Sequence, residues 1–416
     1  EMIKYGTNIP DEISDDTVYY NRNSGKSETV ALRNFHTLFV KQLLIDSIST
    51  KGDTLIDYAV GSGGDINRWR VAKLAFIFGI DVSKDNIENR ITGACARYLN
   101  DKKKYKGMPS ALFVEGNTQF NIKDGEALRN ERGKQITMAV FGEGPKDKDK
   151  LGLGVYNKYG IASNGFNISS CQFALHYFFQ DKRTLNGFLR NVSECTKIGG
   201  YFIGGCYNGS RIFNALNTLK LGESTSIILE NGTKIWEITK QYDKDEFNAD
   251  ETSLGYEIDV YQETINKKFI EYLVNFEYLN RMMENYGFTL LTQDECDNIG
   301  IPESVGPFET LFNLMVQKVK KNPNKKKDYG IALNMKEYEK KISFFNNYFF
   351  YKKLRNVDTR TVYNNMIGSS KLQQQLEKLD SDTAQSIIQE EKTEIAKSYI
   401  APKKIKRKLK LKEVSK

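Results

Sequence analysis

Residues that hold metals or form disulfides are scarce in this sequence. Its two histidines, His36 and His176, lie far apart, and its five cysteines include no C-x-x-C pair. Zinc sites need cysteine and histidine ligands at short, regular spacings, so no metal site is expected. The odd number of cysteines favours reduced thiols, as in proteins that remain inside the cell.

Long apolar segments are also missing. No run of apolar residues reaches the length that a membrane-spanning helix needs, and the first residues lack the pattern of a signal peptide. We therefore expect no membrane partner and a cytoplasmic location. The chain begins with Glu1 rather than Met, which favours a piece of a longer enzyme. Its 416 residues suffice for one large domain with appendages or for two domains.

The charge of the chain is basic. The net charge is +8, and much of the excess lies in residues 403–412, a run of lysines with Arg407. A basic balance suits a polyanionic partner such as RNA. The run itself has two interpretations: contact with RNA phosphates, or a solvated end of the chain.

Strand and helix patterns alternate through the first half of the chain. Short apolar runs predict buried strands at residues 54–58, 75–80, 111–114, 166–173 and 201–203. Helical spacing of apolar residues is found at 29–49, 65–73, 87–98 and 185–195. Such alternation predicts an α/β fold with a parallel sheet that is covered on both faces.

The later part of the chain changes character. Residues 226–238 predict a hairpin around the turn Asn231-Gly232, and residues 256–261 and 269–276 predict further strands. A parallel half of the fold therefore precedes an antiparallel half.

Polar residues follow the first three predicted strands. Asp57 ends the first strand and leads into the loop of residues 58–65, which contains Gly61, Gly63 and Gly64. Asp81 ends the second strand, and Asn117 follows the third. An acid about twenty positions after a glycine loop suits ribose hydroxyls, and the glycines allow close approach of a ligand. These features predict a nucleoside cofactor, and both a nicotinamide dinucleotide and a methyl donor fit them.

The fourth strand and the residues directly after it narrow the choice. Residues 169–179 read Ser-Ser-Cys-Gln-Phe-Ala-Leu-His-Tyr-Phe-Phe. This segment resembles one in mRNA cap guanine-N7 methyltransferases, above all the cap methyltransferase domains of large nucleocytoplasmic DNA viruses. Further segments resemble the same family in the same order. They are residues 19–22, 32–37, 56–65, 79–87, 93–99, 199–204 and 271–274.

This resemblance covers about residues 19–352 and implies a fold, a cofactor and a reaction. The fold is a Rossmann-like class I S-adenosylmethionine-dependent methyltransferase with an antiparallel cap-binding insertion. The cofactor is S-adenosylmethionine, and the reaction is methyl transfer to N7 of the guanine cap of mRNA. Guanine N7 already carries a lone pair, so no catalytic acid, base or metal is expected, and the protein acts by positioning.

The resemblance also implies roles for thirteen residues. The methyl-donor site is lined by Lys41, Asp57, Ala59, Gly61, Asp81, Asn117, Gln172 and Tyr177. The cap is held by Asp65, Arg68, His176, Glu271 and Tyr348. Tyr177 lies between donor and acceptor, and Glu271 accepts hydrogen bonds from N1 and N2 of guanine. A shifted register would replace Tyr348 with Phe345.

We expect three regions. Residues 1–50 form an N-terminal arm and helix that contribute to the site, residues 51–352 form the methyltransferase-like domain, and residues 353–416 form a polar helical and basic tail. The implied partners are capped RNA and other capping domains or subunits of the same system. The location of a viral protein would be the cytoplasmic viral factory or the virion. Lys123-Asp124-Gly125 is not the K-x-D-G sequence of a guanylyltransferase, so that activity is not expected.

Four residues depart from the family's pattern. Ser62 stands where the family has a lysine, Thr37 where it has an asparagine, and Gly205 and Asn208 where it has Thr and Asp. Loss of one cationic contact to a triphosphate weakens binding by roughly 1–3 kcal/mol. These departures leave two alternatives open: a non-catalytic protein that binds caps or regulates, for example in viral translation, and a methyltransferase that acts on another position of RNA.

Overall fold

The computed structural model describes residues 27–368. Most of the expected N-terminal arm and the basic run at residues 403–412 lie outside the described residues. Residues 27–363 belong to one compact unit, and of a second unit only residues 364–368 are described. The expected boundaries at residues 50 and 352 stay predictions. No helix in the described part of the chain is both long and apolar enough to cross a membrane.

A central sheet of eight strands organises the first unit. Its parallel strands are β1 (Thr54–Asp57), β2 (Phe76–Asp81), β3 (Ser110–Glu115), β4 (Phe166–Gln172) and β5 (Thr196–Tyr207). They lie in the order β3-β2-β1-β4-β5. All six residues of β2 are buried, as expected for a strand that is covered on both faces.

A second sheet of four antiparallel strands follows in sequence. It consists of β6 (Ser224–Ile228), β7 (Lys234–Lys240), β8 (Glu257–Gln262) and β9 (Lys267–Tyr272), paired in that order. Its inner face carries Trp236, Ile238, Ile258 and Val260, which are buried in one apolar cluster. The predicted fold, a parallel sheet with an antiparallel insertion, is therefore confirmed.

Three further strands complete the central sheet beyond β5. These are β10 (Phe288–Leu290), β11 (Val305–Pro307) and β12 (Asn346–Lys353). Strand β12 runs antiparallel to β5 and pairs with both β10 and β11. The sequence did not predict β12, because its run of aromatic residues is buried on both faces and lacks alternation.

The described residues also form fifteen α-helices. They are α1 (Val30–Asn34), α2 (Lys41–Asp46), α3 (Ile66–Val71), α4 (Lys84–Glu88), α5 (Ala94–Lys104), α6 (Glu131–Phe141), α7 (Lys148–Leu151), α8 (Leu153–Tyr156), α9 (Lys182–Cys195), α10 (Gly209–Ala215), α11 (Phe276–Asn285), α12 (Gln293–Ile299), α13 (Phe308–Lys321), α14 (Glu337–Phe344) and α15 (Thr359–Met366). A π-helical stretch, Phe35–Val40, joins α1 to α2. Short 3₁₀ helices span Leu175–Gln180, Glu251–Ser253, Pro323–Tyr329 and Ala332–Asn334.

Two expected elements differ from what their apolar patterns indicated. The single helix expected at residues 87–98 is divided into α4 and α5, since the chain turns tightly at Gly93. A Cβ atom at Gly93 would lie 2.6 Å from the backbone nitrogen of Asn89. The strand expected at 269–276 ends at Tyr272, because the side chain of Asn275 accepts a hydrogen bond from Tyr278 N and caps α11.

Candidate functional site

A cavity of about 1260 Å³ lies at the carboxyl ends of β1 to β4 and extends to the four-stranded sheet. Parallel sheets of this kind bind ligands at that edge. Nine of the thirteen residues implicated by the sequence line it. They are Lys41, Ala59, Gly61, Asp81, Asn117, Gln172, His176, Tyr177 and Glu271. The other four are Asp57, Asp65, Arg68 and Tyr348.

The glycine loop after β1 is held by the carboxylate of Asp81. Gly61 has a φ of +54°, a conformation that favours glycine, and its N–H donates to Oδ2 of Asp81 at 2.7 Å. Oδ1 of Asp81 accepts from Ser83 N and from Asn86 Nδ2, both at 3.0 Å. Burial raises the pKa of Asp81 despite these bonds. Asp81 thus fixes the loop and still lines the cavity.

Asp57 lies behind the cavity wall. Its Oδ1 accepts a hydrogen bond from Ala59 N at 3.2 Å, and its side chain is almost completely buried. Burial and the nearby carboxylate of Asp65 raise the pKa of Asp57 to about 7. A carboxyl with such a pKa gains the most from a cation placed beside it, because the cation favours its ionised form.

Asp65 and Arg68 form an ion-pair cluster with Lys41. Oδ2 of Asp65 lies 3.0 Å from Lys41 Nζ, and its Oδ1 lies 3.1 Å from Arg68 Nη1. Burial by itself would raise the pKa of Asp65, but the charges of Lys41 and Arg68 outweigh it and the pKa is lowered. Arg68 also donates to the carbonyls of Thr37 and Gly64. The cluster ties the N-terminal helix to the glycine loop, and of its three members Lys41 lines the cavity.

The end of β4 has a buried amide oxygen without a hydrogen-bond partner among the described residues and a residue with an unusual backbone conformation. Gln172 is buried, and its Oε1 has no hydrogen-bond partner among the described residues. Phe173 has a φ of +59°, which is rare for a residue with a side chain. Its ring stacks on the imidazole of His36 with centroids 5.2 Å apart, and Lys41 Nζ lies 5.5 Å from its centroid.

Sequence reasoning missed His36 as a wall residue of the cavity. Nε2 of His36 lies 2.8 Å from Ser343 Oγ, and Phe308 packs edge-on against its ring. Burial, together with the charge of Lys41, lowers the pKa of His36 to about 3, so it is neutral at pH 7. The segment of residues 32–37, which carried the family resemblance, was the available signal.

His176 and Glu271 come from different sheets and meet at the cavity. His176 lies in the 3₁₀ helix after β4 and Glu271 lies in β9, and both are buried. Nδ1 of His176 is 3.5 Å from Oε2 of Glu271, and the two atoms form no hydrogen bond. Burial lowers the pKa of His176 to about 3 and raises that of Glu271 to about 8. At pH 7 both groups are therefore neutral, and among the described residues neither ring nitrogen of His176 has a partner.

Tyr177 and Asn117 complete the predicted set on the cavity wall. The ring of Tyr177 packs edge-on against His176 with centroids 4.2 Å apart. Oδ1 of Asn117 accepts from Gln119 N at 3.0 Å, which orients the amide at the end of β3. Tyr177 therefore lies beside the His176–Glu271 pair, and Asn117 lies with Asp81 at the end of the parallel strands.

Tyr348 does not reach the cavity. It is the third residue of β12, is completely buried, and packs with Phe350 in the core beneath the sheet. The alternative residue, Phe345, stacks on Trp236 at 5.6 Å and is also absent from the cavity wall. We therefore correct the expected cap contact of Tyr348: strand pairing of β12 with β5 and β11 turns its side chain into the core.

The four departures from the family pattern have local explanations. Ser62 donates to Asn86 Oδ1 at 3.3 Å, and its carbonyl accepts from Arg97. Thr37 donates to the carbonyl of Arg33. Asn208 caps α10 by accepting from Arg211 N at 3.2 Å. At Gly205, a Cβ atom would lie 3.0 Å from the ring of Phe308.

Comparison with known proteins identifies the class and then the family. The order of the central sheet is that of class I S-adenosylmethionine-dependent methyltransferases, with β12 as the reversed strand. Residues 14–401 match the model of the mRNA (guanine-N(7))-methyltransferase domain, and the chain belongs to this family. Membership agrees with the predicted cofactor, S-adenosylmethionine.

Individual relatives are similar over most of this chain. A probable mRNA-capping enzyme of Acanthamoeba polyphaga mimivirus is 27% identical over 288 residues, which are 68% of this chain. This chain spans 23% of the length of that enzyme. The mRNA cap guanine-N(7) methyltransferase of Saccharomyces cerevisiae is 25% identical over 83% of this chain and 70% of its own. Among solved structures, the CcbJ methyltransferase of Streptomyces caelestis is 12% identical with a TM-score of 0.42, over 82% of this chain and 100% of its own.

Proposed function

We propose that this chain transfers a methyl group from S-adenosylmethionine to N7 of the guanine cap of RNA. One observation carries the proposal: a single cavity joins the polar loop edge of the parallel sheet to a buried pair, His176 and Glu271, on the antiparallel side. The first region has the chemistry to bind a nucleoside, and the second has buried polar atoms that need a ligand.

The residues present fit the proposed methyl donor. Asp81 and Asn117 at adjacent strand ends suit the ribose and the adenine ring, and the glycine at 61 permits close approach of the ligand. The buried Oε1 of Gln172, which has no partner among residues 27–368, can accept a hydrogen bond from the ligand. The raised pKa of Asp57 suits an ammonium group nearby. S-adenosylmethionine, when bound, supplies an electrophilic methyl group.

The residues on the acceptor side would select and orient guanine. Glu271, once ionised, accepts two hydrogen bonds and so matches the N1–H and N2–H donors of guanine. His176 remains neutral and supplies one donor and one acceptor, and Tyr177 packs against its ring. Guanine N7 needs no proton removed, so the protein contributes alignment and exclusion of water.

Finer features stay part of this proposal. Capped RNA is the proposed substrate, and further capping domains or subunits are proposed partners because the related mimivirus chain is much longer than this one. A cytoplasmic site of action, in a viral factory or virion, follows from the same resemblance.

The test is methyl transfer from a labelled donor to RNA that begins with GpppA. We expect labelled 7-methylguanosine after nuclease digestion, and no label with ApppA-ended RNA as the matched control. Tight binding of methylated cap without any transfer would favour the non-catalytic alternative. Label at another nucleotide would favour a different RNA position.

A further inference from the structure

A dense basic surface lies beside the N-terminal helical segment of residues 30–46, outside the cavity wall. Residues 318–327, at the end of α13 and in the 3₁₀ helix Pro323–Tyr329, contain six lysines. We call them the lysine patch: Lys318, Lys320, Lys321, Lys325, Lys326 and Lys327. Lys318 is partly buried, and the other five are exposed.

Within the described part of the chain, the lysine patch forms no ion pairs with carboxylates. Within residues 27–368, no carboxylate lies within ion-pair distance of any patch lysine, although lysines elsewhere on the surface do pair. Examples are Lys182 with Glu251 and Lys352 with Glu295. Neighbouring like charges repel, so a cluster of this density gains free energy when a polyanion neutralises it.

The lysine patch is anchored to the helix that forms one wall of the cavity. Tyr329 packs edge-on against Phe39 with centroids 5.1 Å apart, and Ile331 N donates to Asn34 Oδ1 at 3.1 Å. Lys318 Nζ lies 5.8 Å from the centroid of Phe39. The patch therefore keeps a fixed position beside the helical segment of residues 30–46.

The same helical segment contributes five residues to the cavity wall: Leu32, Arg33, His36, Thr37 and Lys41. Arg33, Thr37 and Lys41 recur at a spacing of four residues and line the cavity on one side of the helix. Arg33 is exposed at the rim. A helix with its side chains is about 10–12 Å across, so one helix separates the cavity from the lysine patch.

We propose that the lysine patch binds the sugar-phosphate backbone of the RNA strand that continues from the cap. A strand whose 5′ end lies in the cavity would pass Arg33 and cross the helical segment to reach the lysines. This inference rests on the proposed function, because it takes the cavity to hold the cap. The contacts are electrostatic and therefore independent of sequence.

The experiment measures binding and turnover separately. Binding of a short, uncapped, single-stranded RNA is followed by fluorescence anisotropy at several salt concentrations. The variant is K325E/K326E/K327E. The matched control is K146E/K148E/K150E, which makes the same change of charge at three lysines in and before α7, a helix that packs against α6 and α8. Methyl transfer is then measured with the dinucleotide GpppA and with GpppA-ended RNA.

We expect the patch variant to weaken RNA binding by at least about tenfold and to lower the salt dependence of log K by about 2, since each phosphate contact to a single strand contributes about 0.7. The KM for GpppA-ended RNA rises in parallel, while the KM for the dinucleotide is unchanged. Equal losses in both variants, no loss in either, or a raised KM for the dinucleotide would each overturn the proposal. Absence of methyl transfer in the unmodified chain contradicts the proposed function instead, and the binding measurement still stands.

Discussion

The two sides of the cavity differ in how many of their buried polar groups already have hydrogen-bond partners. On the side proposed to bind the methyl donor (the donor side), the carboxylate of Asp81 accepts hydrogen bonds from Gly61 in the glycine loop and from Ser83 and Asn86 after β2, and Asn117 accepts one from Gln119. On the acceptor side, both nitrogens of His176 lack partners among the described residues, and Glu271 is held neutral by burial. Most polar groups of the donor side therefore have partners before a ligand arrives, although Gln172 Oε1 has none among the described residues, whereas both ring nitrogens of His176 on the acceptor side still await a ligand.

This difference in hydrogen bonding predicts that the acceptor side determines which base is bound, whereas the donor side contributes mainly affinity. An unpaired polar group costs about 1–3 kcal/mol when it is buried, and a matching ligand recovers that cost. A base that lacks the matching groups leaves the cost in place, so discrimination against it is strong. The donor side should therefore tolerate analogues of its ligand better than the acceptor side does. Four experiments can test this difference, in decreasing order of the change expected.

Replacement of Asp81 by alanine should cause the greatest loss. The change removes three accepted hydrogen bonds and leaves Gly61 N without its partner, so the loop loses its shape. We expect the affinity for S-adenosylhomocysteine, measured by calorimetry, to fall at least about 100-fold. Glu88→Ala, an exposed change in the neighbouring α4, is the matched control and should leave the affinity unchanged. Equal affinity in wild type and Asp81→Ala would contradict the placement of the ribose.

Replacement of Glu271 by glutamine should impair use of the cap without affecting binding of the methyl donor. Glutamine keeps the size of the side chain but offers an N–H₂ group where guanine needs an acceptor. We expect kcat/KM for GpppA-ended RNA to fall about 30- to 100-fold, with donor affinity unchanged. A parallel loss of donor affinity would show that the two sides are not independent.

The affinity for an unmethylated cap analogue should rise with pH. Burial raises the pKa of Glu271 in the free protein to about 8, and guanine binding requires the ionised carboxylate, so binding releases a proton. Between pH 7 and pH 9 the ionised fraction, and with it the affinity, should increase about tenfold. His176 does not titrate in this range, because its pKa is about 3. The Glu271→Gln variant is the control, and a flat profile in the wild type would refute the assignment.

The smallest effect that we expect is an improvement in substrate binding when Ser62 is replaced by lysine. Ser62 is partly exposed in the glycine loop, and it occupies the family's lysine position. Ser62→Lys should lower the KM for GpppA-ended RNA by about fivefold, equivalent to roughly 1 kcal/mol, through contact with the cap phosphates. Ser62→Gln, of similar length without the charge, should not. An unchanged KM for the lysine variant would place the triphosphate elsewhere.

Much of the donor side could be predicted from the sequence alone. Strands β1 to β4 are short apolar runs that end in polar residues, and their observed ends lie within one residue or so of the expected ones. Asp81 and Asn117 could be placed because the carboxyl ends of parallel strands share one edge of the sheet. The order of strands along the chain was therefore enough to locate these residues at the cavity.

The acceptor side depended on contacts between distant parts of the chain. His176 and Glu271 meet because β9 packs against the 3₁₀ helix after β4, and no local pattern indicates this contact. Tyr348 is the clearest example of what the sequence could not show. An aromatic run predicts burial, but it does not predict whether a given ring faces the cavity or the core. The pairing of β12 with β5 directs the ring of Tyr348 into the core. His36 was overlooked because its helix was judged by its apolar positions.

The close approach of Gly205 to Phe308 has a consequence for the family's history. The ring of Phe308 lies 3.0 Å from where a Cβ atom at position 205 would be, and it also supports His36 and Phe173 at the cavity wall. A threonine at that position would require the ring of Phe308 to shift away from β5. The two positions should therefore vary together among homologous chains, so that one substitution is accepted only after the other.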